Sequence, residues 1–516
     1  MNLFIKKPIA DLMAESRGEQ IADHRDASFP SLQADAPANA GAGQPAGVSL
    51  KRTLGAGSLI ALGIGAIIGA GLFVRTASAA AQNAGPAVTI GFIVAAIGCA
   101  LAGLCYAELS SSIPIAGSAY TYTYATMGEL MAWIIGWDLV LEYAVGAATV
   151  GIAWSEYLNK LLTDVLHLAP IPYEWCHSPF EAAGGVHGMM NLPALFIVAV
   201  LSLLLIRGTS ESAFVNGIIV ITKVAIVIMI IVLGWHFINP SNHTPYIPPP
   251  SEYVDSQNVS HHFGGWMGIL GAAGTVFFAF IGFDAVSTAA QETKNPKRNM
   301  PIGILGSLAI CTVLYILFAH VLTGMAPVKF FQTTGKEASV VAAISTYMPG
   351  YSWLAKLVTV AILAGFSSVI LVMLLGQSRV FYSMSKDGLL PKLFSDLHPK
   401  FKTPYKANLF ILVIVGLFAA FVPGDIVGDM TSIGTLFAFV LVCAAVIVMR
   451  RTDPDLPRQF KAPLVPFVPV LGILVCLAMI FGLGWTNWAR LIGWLLIGFV
   501  IYFGYSRYHS KLQRPK

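Results

Sequence analysis

Long apolar runs separated by short polar segments fill the chain from Thr53 onward. A helix that crosses a bilayer needs about 20 apolar residues, each adding about 1.5 Å of length. Twelve runs approach or exceed this length, which predicts an all-α polytopic membrane protein with 12 transmembrane helices. The predicted spans, numbered 1 to 12, are 54–80, 87–109, 127–155, 191–207, 213–237, 266–290, 301–326, 353–378, 407–423, 428–449, 465–485 and 489–506.

The first fifty residues have a different pattern. Residues 27–50 are rich in Ala, Gly, Pro and Ser and contain almost no large apolar side chains. Such a stretch cannot bury enough surface to fold, so we expect a largely disordered tail. Before it, residues 1–25 are compatible with a short amphipathic helix that begins near Leu3 and Lys7. This segment lacks the apolar core of a signal peptide, so we expect no cleavage.

Composition narrows the class of protein. Only 11% of the 516 residues are charged and the mean hydropathy is +0.72. Soluble proteins carry roughly 25% charged residues, which they need to cover a surface that faces water. The composition therefore excludes an ordinary soluble enzyme, a nucleic-acid binder and a disordered scaffold. Lipid must solvate most of the outer surface.

The positive charges predict an orientation. If the N-terminus is placed in the cytoplasm, 24 of the 31 Lys and Arg residues fall in cytoplasmic segments and 5 in external ones. Membrane proteins show this asymmetry because positively charged loops stay on the cytoplasmic side. An even number of spans, with both termini inside, is the arrangement that the charges support.

Span 1 carries four glycines within nine residues, Gly63, Gly65, Gly69 and Gly71. Glycine is common where membrane helices pack closely, so one interpretation is a packing face. The two glycines that flank Ala70 favour the other interpretation, a local unwinding of the helix. Unwound backbone is tolerated in lipid only where it lines a polar cavity, and N–H groups at the end of a half-helix form a site for a carboxylate.

Span 6 has a comparable interruption, with Gly282 followed two positions later by Asp284. Interrupted first helices five spans apart are typical of a five-plus-five inverted repeat with the binding site between them. We therefore predict discontinuous helices 1 and 6, with two further helices at the C-terminus. The predicted parts are a cytoplasmic tail (1–50), a first repeat (51–240), a second repeat (262–450), and spans 11 and 12 with a cytoplasmic C-terminal tail (451–516).

One charge lies within span 5. Lys223 follows Ala213 by ten residues, which places it about 15 Å into the span and near the bilayer midplane. Its stem is too short to bring the ammonium back to water. The ammonium must find oxygen partners or lose its proton, so we predict a proton carrier. The alternative is a lysine held permanently in one buried ion pair.

Three acids of the predicted spans are candidates for a function. Asp138 and Glu142 of span 3 are four residues apart and share a helix face, where like charges repel. At least one is expected to be protonated or to face a polar cavity, and Glu142 is nearer the middle of the span. Asp284 is similar in kind. Each is a candidate for handling substrate or protons, and the alternative is a structural hydrogen bond to a neighbouring helix.

The presence or absence of other motifs limits the remaining classes of protein. The sequence contains no phosphate-binding loop, and no HExxH or GxSxG motif in a span, so we expect neither an enzyme nor a bound cofactor or metal. The alternating run Tyr120–Tyr124 predicts an aromatic belt at the membrane interface. A membrane sensor or a channel is a distant alternative to a transporter, because no appended soluble domain or ring of pore charges is expected.

Several stretches resemble the amino acid–polyamine–organocation (APC) superfamily of transporters: GIGAIIGAGLFV (63–74), FFAFIGFDAVSTAAQETKNPKRNMPIGI (277–304), MSKDGLLP (384–391) and HPKFKTP (398–404). Others look like its cationic amino acid transporter (CAT) branch: NLFIKKPI (2–9), LKRTLG (50–55) and FKAPLVPFVPVLGI (460–473). The likeness covers nearly the whole chain outside the tail. Twelve spans resemble the bacterial type rather than the fourteen-span animal members.

The resemblance implies a secondary amino acid transporter with the broken-helix inverted-repeat fold. It implies that the substrate carboxylate is held by the amides of Gly69, Ala70 and Gly71. It implies that the substrate amine is held by the carbonyls of Phe278, Ala279 and Ile281. The gate and side-chain pocket would then include Phe278, Ala66, Glu142 and Asp284.

The resemblance also gives Lys223 a role. In this family a lysine of the fifth span replaces a coupling sodium ion. Its implied partners are the carbonyls of Gly65 and Ile68 and the hydroxyl of Ser367 or Ser368. Protonated Lys223 would bridge spans 1, 5 and 8, and loss of the proton would release that contact. Proton binding would thus bias alternating access between the two sides of the membrane.

We predict a proton-coupled importer of L-amino acids in the bacterial cytoplasmic (inner) membrane. Its expected partners are the amino acid, protons and the lipid bilayer, with no nucleic acid and with room for a small accessory membrane subunit. The substrate is either cationic, such as arginine or lysine, or small and neutral, such as alanine. The alternative is an amino acid or polyamine exchanger without proton coupling.

Overall fold

The computed structural model describes residues 3–9, 54–113, 118–207, 213–254, 260–288, 293–333, 339–401, 403–456, 458 and 460–513. The tail predicted to be disordered at 27–50 lies outside these residues. The amphipathic helix predicted near the N-terminus is wrong for its first residues, because Leu3–Pro8 is not helical. This segment instead pairs its backbone with the start of span 3, where Glu129 N donates to Ile5 O.

The all-α polytopic fold is confirmed. Seven helical stretches of the described chain are long and apolar enough to cross a membrane, and shorter apolar helices supply the other spans. The first six spans comprise Ala56–Ile67 and Gly71–Arg75, Thr76–Ala79 and Ala80–Ala84 (span 1), Val88–Ser112 (span 2), Glu129–Val140, Leu141–Val145, Gly146–Lys160 and Leu161–Val165 (span 3), Leu192–Arg207 (span 4), Ala213–Gly234 (span 5), and Gly265–Phe277, Phe278–Phe280 and Ala285–Thr288 (span 6).

The last six spans comprise Pro296–Met325 (span 7), Ser352–Lys386 (span 8), Tyr405–Phe421 (span 9), Gly424–Thr452 (span 10), Phe467–Gly482 (span 11), and Trp485–Ile501, Tyr502–Ser506 and Arg507–His509 (span 12). Helix Ser118–Thr126, called the linking helix below, connects spans 2 and 3. Helices Val328–Thr333 and Ser339–Tyr347 precede span 8. Two antiparallel hairpins lie between spans, Ala182–Ala183 with Val186–His187 and Ser251–Val254 with Ser260–Phe263.

The spans pack in two groups. Span 7 lies against spans 1 and 2, and span 6 lies against span 2. Spans 3, 4, 8 and 9 form the second group, in which span 8 packs on span 3 and span 9 on span 4. Span 5 contacts spans 1, 7 and 8, so it lies between the groups. Members of each group thus recur five spans apart.

The two ends of the bundle are named by what they carry. The termini end holds Leu3–Ile9, Asp387 and Ser510, which lie close together through bonds made by Lys7 and Lys511. The opposite end, called the loop end, holds the two hairpins and the first residues of span 10. Spans 1 and 6 therefore run between these ends in opposite directions.

The tyrosine run of the linking helix is not an interfacial belt, so that prediction is wrong. Tyr120, Tyr122 and Tyr124 are at most 1% exposed. The Tyr120 hydroxyl donates to Asp387 at 2.8 Å and the Tyr124 hydroxyl donates to Glu129 at 2.9 Å. The linking helix can be buried at the termini end because two carboxylates within the bundle accept hydrogen bonds from its tyrosine hydroxyls.

Candidate functional site

Spans 1 and 6 are both interrupted, as predicted. The first helix of span 1 ends at Ile67 because Ile68 is extended (φ −72°, ψ 103°). In span 6, Ile281 is extended (φ −58°, ψ 136°) and Gly282 has a φ of +108°, a conformation that favours glycine. The first amides of a resumed helix have no carbonyl one turn earlier, so they can bind a ligand. Each interruption therefore offers backbone groups inside the bundle.

The two interruptions touch each other. A Cβ added at Gly71 would lie 2.2 Å from Ala279 Cα, and one added at Gly282 would lie 2.9 Å from Ala66 O. Only glycine allows the two backbones this close. The residues that the resemblance assigns to the substrate therefore lie around one centre, with Phe278 only 4% exposed beside it.

Tyr315 of span 7 joins the two interruptions, which sequence reasoning missed. Its hydroxyl oxygen lies 3.0 Å from Ile67 O and 3.0 Å from Ala279 O. The side chain is fully buried. A hydroxyl group in the middle of an apolar span was the available signal, since a buried tyrosine needs a polar partner.

Lys223 reaches span 1 at the level of its interruption. Its ammonium donates to Gly65 O at 3.0 Å, and the residue is 4% exposed. The stem packs on span 8, where a Cβ added at Gly365 would lie 2.8 Å from Lys223 Cε. The Ser367 hydroxyl, one of the implied partners, donates to Leu363 O of its own helix at 2.9 Å.

A small pocket lies beside the Lys223 side chain, between spans 1, 5 and 8. Ile68, another implied partner, lines this pocket, while Ser368 is buried nearby on span 8. The other lining residues are Gly69, Phe73, Ile226, Ala361, Ile362, Gly365 and Phe366. The structure thus brings Lys223, the span 1 interruption and span 8 together.

Glu142 and Asp284 form a second polar centre. Glu142 is fully buried in a π turn of span 3, and Asp284 is 1% exposed just after the interruption of span 6. The two carboxyl groups face each other, and the Tyr143 hydroxyl donates to Asp284 Oδ2 at 3.0 Å. Tyr106 and Tyr122 are also fully buried, and the ring of Tyr106 packs edge-on against Phe283 of span 6, next to Asp284. The structure therefore brings together two predicted site residues that are far apart in sequence.

At the loop end, Arg75 ties span 1 to span 10. Its guanidinium donates to Asp425 at 3.4 Å and, through a shorter bond, to Asp429. Gln82 donates to Asp425 at 3.4 Å and Asn487 to Asp429 at 3.3 Å. The arginine side chain is 4% exposed, whereas the two acid side chains are about 20% exposed. Two acids one helical turn apart at the start of span 10 were the signal for this site.

Also at the loop end, His177 fastens the segment between spans 3 and 4. Its Nε2 lies 3.0 Å from Glu156 Oε1, and its Nδ1 lies 3.1 Å from Tyr173 O. Both ring nitrogens face acceptors, so only the doubly protonated ring donates to both. Burial lowers the pKa of His177, but the bond and charge of Glu156, with help from Glu181, outweigh burial and raise the pKa above 6.5.

We expect this contact to strengthen in acid. A pKa raised on folding gives stabilisation that is complete below about pH 6.5 and is lost as the pH rises through the folded value. Cys176 is buried in the same segment and reports its opening. Maleimide should label Cys176 about fivefold faster in Glu156→Gln than in wild type at pH 5.5, and the ratio should approach one above pH 8. A ratio that does not change with pH would contradict the titration of His177.

Interrupted helices around buried backbone groups, inside a bundle of apolar spans, define a membrane permease. A model of the family described as amino acid permease matches residues 54–504. The chain belongs to this amino acid permease family, within the APC superfamily. Its relatives are permeases and transporters rather than enzymes, and amino acid transport is the activity of the family.

Three relatives show the range of transported compounds. The chain is 44% identical to the branched-chain amino acid permease BcaP of Bacillus subtilis (strain 168) over 514 residues, 99% of each chain. It is 40% identical to the methylthioribose transporter of the same organism over 514 residues, 99% of this chain and 100% of the relative. It is 37% identical to the chloroplastic cationic amino acid transporter 9 of Arabidopsis thaliana over 408 residues, 79% of this chain and 68% of the relative.

Proposed function

We propose that the protein is a proton-coupled importer of neutral L-amino acids with apolar side chains. It lies in a bacterial cytoplasmic membrane with its termini end in the cytoplasm, where most of the Lys and Arg residues then fall. The observation that carries the proposal is the buried Lys223 ammonium bonded to Gly65 beside the interruption of span 1. The two predicted repeats, 51–240 and 262–450, supply the two halves of the site.

Substrate backbone binding follows from the two interruptions. The amides of Gly69, Ala70 and Gly71 take the carboxylate, because they begin a resumed half-helix whose dipole favours a negative charge. Carbonyls of span 6 at Phe278 and Ile281 take the ammonium, and the Ala279 carbonyl shares Tyr315 with span 1. The Phe278 ring covers the bound amino acid.

Proton coupling is assigned to Lys223. A protonated ammonium stabilises the contact between spans 1 and 5, whereas a neutral amine holds Gly65 O less strongly. The pocket beside the ammonium lies between spans 1, 5 and 8, so a rearrangement of these spans changes the surroundings of the amine. Since the proton binds one arrangement of these spans better than another, its gradient can drive the change between them.

The paired acids support a neutral substrate. Glu142 and Asp284 lie together inside the bundle and face each other, away from water. Asp284 already accepts a hydrogen bond from Tyr143. This bond makes Asp284 less available to a cationic side chain than a carboxylate without a donor would be. The branched-chain amino acid permease of Bacillus subtilis is named for substrates with uncharged side chains, which agrees with this assignment.

The test is uptake of labelled leucine and lysine into proteoliposomes with and without an inward proton gradient. We expect the gradient to drive leucine uptake, and Lys223→Gln to reduce this uptake at least about tenfold. Leucine counterflow should change by less than about twofold, because exchange needs no net proton movement. Thr222→Ala is the control, since Thr222 is an exposed neighbour on the same span.

Three results would contradict parts of this proposal. Gradient-driven uptake by Lys223→Gln would remove Lys223 as the coupling residue. Wild-type uptake that requires preloaded vesicles and ignores the gradient would make the protein an exchanger. Faster uptake of lysine than of leucine would make the substrate cationic and would return Glu142 and Asp284 to the side-chain pocket.

A further inference from the structure

The N-terminal segment is docked on the bundle, although about 45 residues separate it from span 1. Leu3–Ile9 pairs through its backbone: Glu129 N donates to Ile5 O and Leu130 N donates to Leu3 O, each at 3.0 Å. Lys7 N donates to Tyr124 O of the linking helix at 3.3 Å. The segment thus lies across the junction between the linking helix and span 3.

The junction is shaped to receive this segment. Gly128 has a φ of +94°, and a Cβ added there would lie 2.6 Å from the carbonyl carbon of Phe4. A side chain at this position would occupy the path of the docked backbone. The fit therefore depends on glycine both for the turn and for the space.

Lys7 anchors the segment electrostatically. Its ammonium donates to Asp387 Oδ1 at 2.8 Å, and both side chains are at least 85% buried. The other carboxylate oxygen of Asp387 accepts from Tyr120 at 2.8 Å. The neighbouring Lys6 differs, because it lies 3.9 Å from Asp453 and is 36% exposed. Two adjacent lysines thus make one buried and one exposed ion pair.

The linking helix has two working faces. On one face Tyr122 is fully buried, and the linking helix contacts the last helix of span 6, Ala285–Thr288. Tyr120 and Tyr124 lie on the other face and bind Asp387 and Glu129. The docked segment adds a backbone bond to this second face. The contacts that hold the second face in place therefore also fix the position of Tyr122.

We propose that Leu3–Ile9 is an intramolecular brace that stabilises the closed cytoplasmic end and undocks when that end opens. The brace acts on the linking helix, which lies between the last helix of span 6 and the carboxylates of the termini end. This inference rests on the proposed function only in taking the termini end as cytoplasmic and transport as alternating access. It does not depend on proton coupling or on the substrate.

The C-terminal residues bind at the same place. Glu129 accepts from Tyr502 at 3.1 Å and Gln513 at 2.6 Å, and also from Ser510. Lys511 N donates to the backbone oxygen of Asp387 at 3.1 Å. Glu129 thus binds the end of span 12 through its carboxylate, and Asp387 does so through its backbone oxygen. The brace therefore docks on a surface that is already ordered. Undocking therefore leaves the scaffold intact.

The experiment compares Lys7→Glu, Asp387→Lys and the double charge reversal, with Lys6→Glu as the matched control. Hydrogen–deuterium exchange of residues 118–126 reports the linking helix, and leucine counterflow reports transport without proton coupling. We expect each single reversal at the buried pair to raise exchange and the half-saturating external leucine concentration at least about fivefold. The double reversal should recover both measurements in large part, because it restores the ion pair but not the bond that Tyr120 donates to Asp387. Lys6→Glu should match wild type.

Two outcomes would overturn the brace. In the first outcome, Lys7→Glu and Lys6→Glu give the same hydrogen exchange and the same leucine counterflow. The buried pair then does not hold the linking helix. Single reversals that raise exchange without recovery in the double reversal would show damage to the fold rather than loss of docking. Restoration by the double reversal in a protein that ignores the proton gradient would support the brace while contradicting the proposed coupling.

Discussion

Gly71→Ala should reduce leucine uptake and counterflow about 100-fold while the protein remains folded. The added Cβ would lie 2.2 Å from Ala279 Cα. Carbon atoms that are not bonded pack at about 3.5–4.0 Å, so the two interrupted helices would have to separate by more than about 1 Å. Displacement of binding groups by about 1 Å can cost a factor of 100, because the site then no longer matches its ligand.

The control for this prediction lies in the same span. Among the residues that the structure describes, nothing lies within 4 Å of a Cβ added at Gly57, so Gly57→Ala should transport like wild type. Thermal unfolding of both variants in detergent separates a local effect from loss of the fold, since overpacking costs about 1–3 kcal/mol. Near-normal uptake by Gly71→Ala would mean that the contact between spans 1 and 6 does not define the site.

Arg75→Gln should slow net leucine uptake at least about tenfold while leucine still binds from the loop end. Arg75 holds two acids of span 10 against span 1, and without it Asp425 and Asp429 repel each other one helical turn apart. Removing one partner of a fully buried pair costs about 3–5 kcal/mol, and the partly exposed acids reduce this cost. The closed loop end loses stability, and transport needs that closed state.

Measuring both leucine binding and leucine uptake distinguishes loss of the Arg75 contact from a general loss of folding. Scintillation proximity binding of leucine should stay within about threefold of wild type, since the interruptions are unchanged. Arg490→Gln is the control, because Arg490 donates to Asn487 at the same end without joining the two spans. Equal loss of binding and uptake in Arg75→Gln would place the arginine in the substrate site instead.

The interruptions and Lys223 could be predicted because their signals are local. Span 1 has four glycines within nine residues, and span 5 has one lysine among apolar residues. Both depart from the continuous apolar helix that lipid requires of a membrane span. The structure places Lys223 against Gly65, as the resemblance implies. The paired acids could be identified singly as candidates, but their contact joins residues 142 positions apart.

The residues that sequence reasoning missed depend on distant partners. Arg75 and Asp425 are 350 positions apart, and each alone reads as an ordinary charge near a span end. Tyr120–Tyr124 has the composition of an interfacial belt, and only the carboxylates of Asp387 and Glu129 turn it inward. Leu3–Pro8 has helical propensity, but pairing with span 3 replaces the helix. Tertiary contacts override local pattern in each case.

Tyr315 has a consequence for how the two halves of the centre communicate. Its hydroxyl group carries a single proton, yet it stands equally far from one carbonyl of span 1 and one of span 6. It can satisfy one of these acceptors at a time, so each choice leaves the other carbonyl available to a ligand or a water molecule. A shift of either interruption therefore changes which carbonyl receives the tyrosine proton. Through this one hydroxyl group, the position of one broken helix affects the hydrogen bonding of the other.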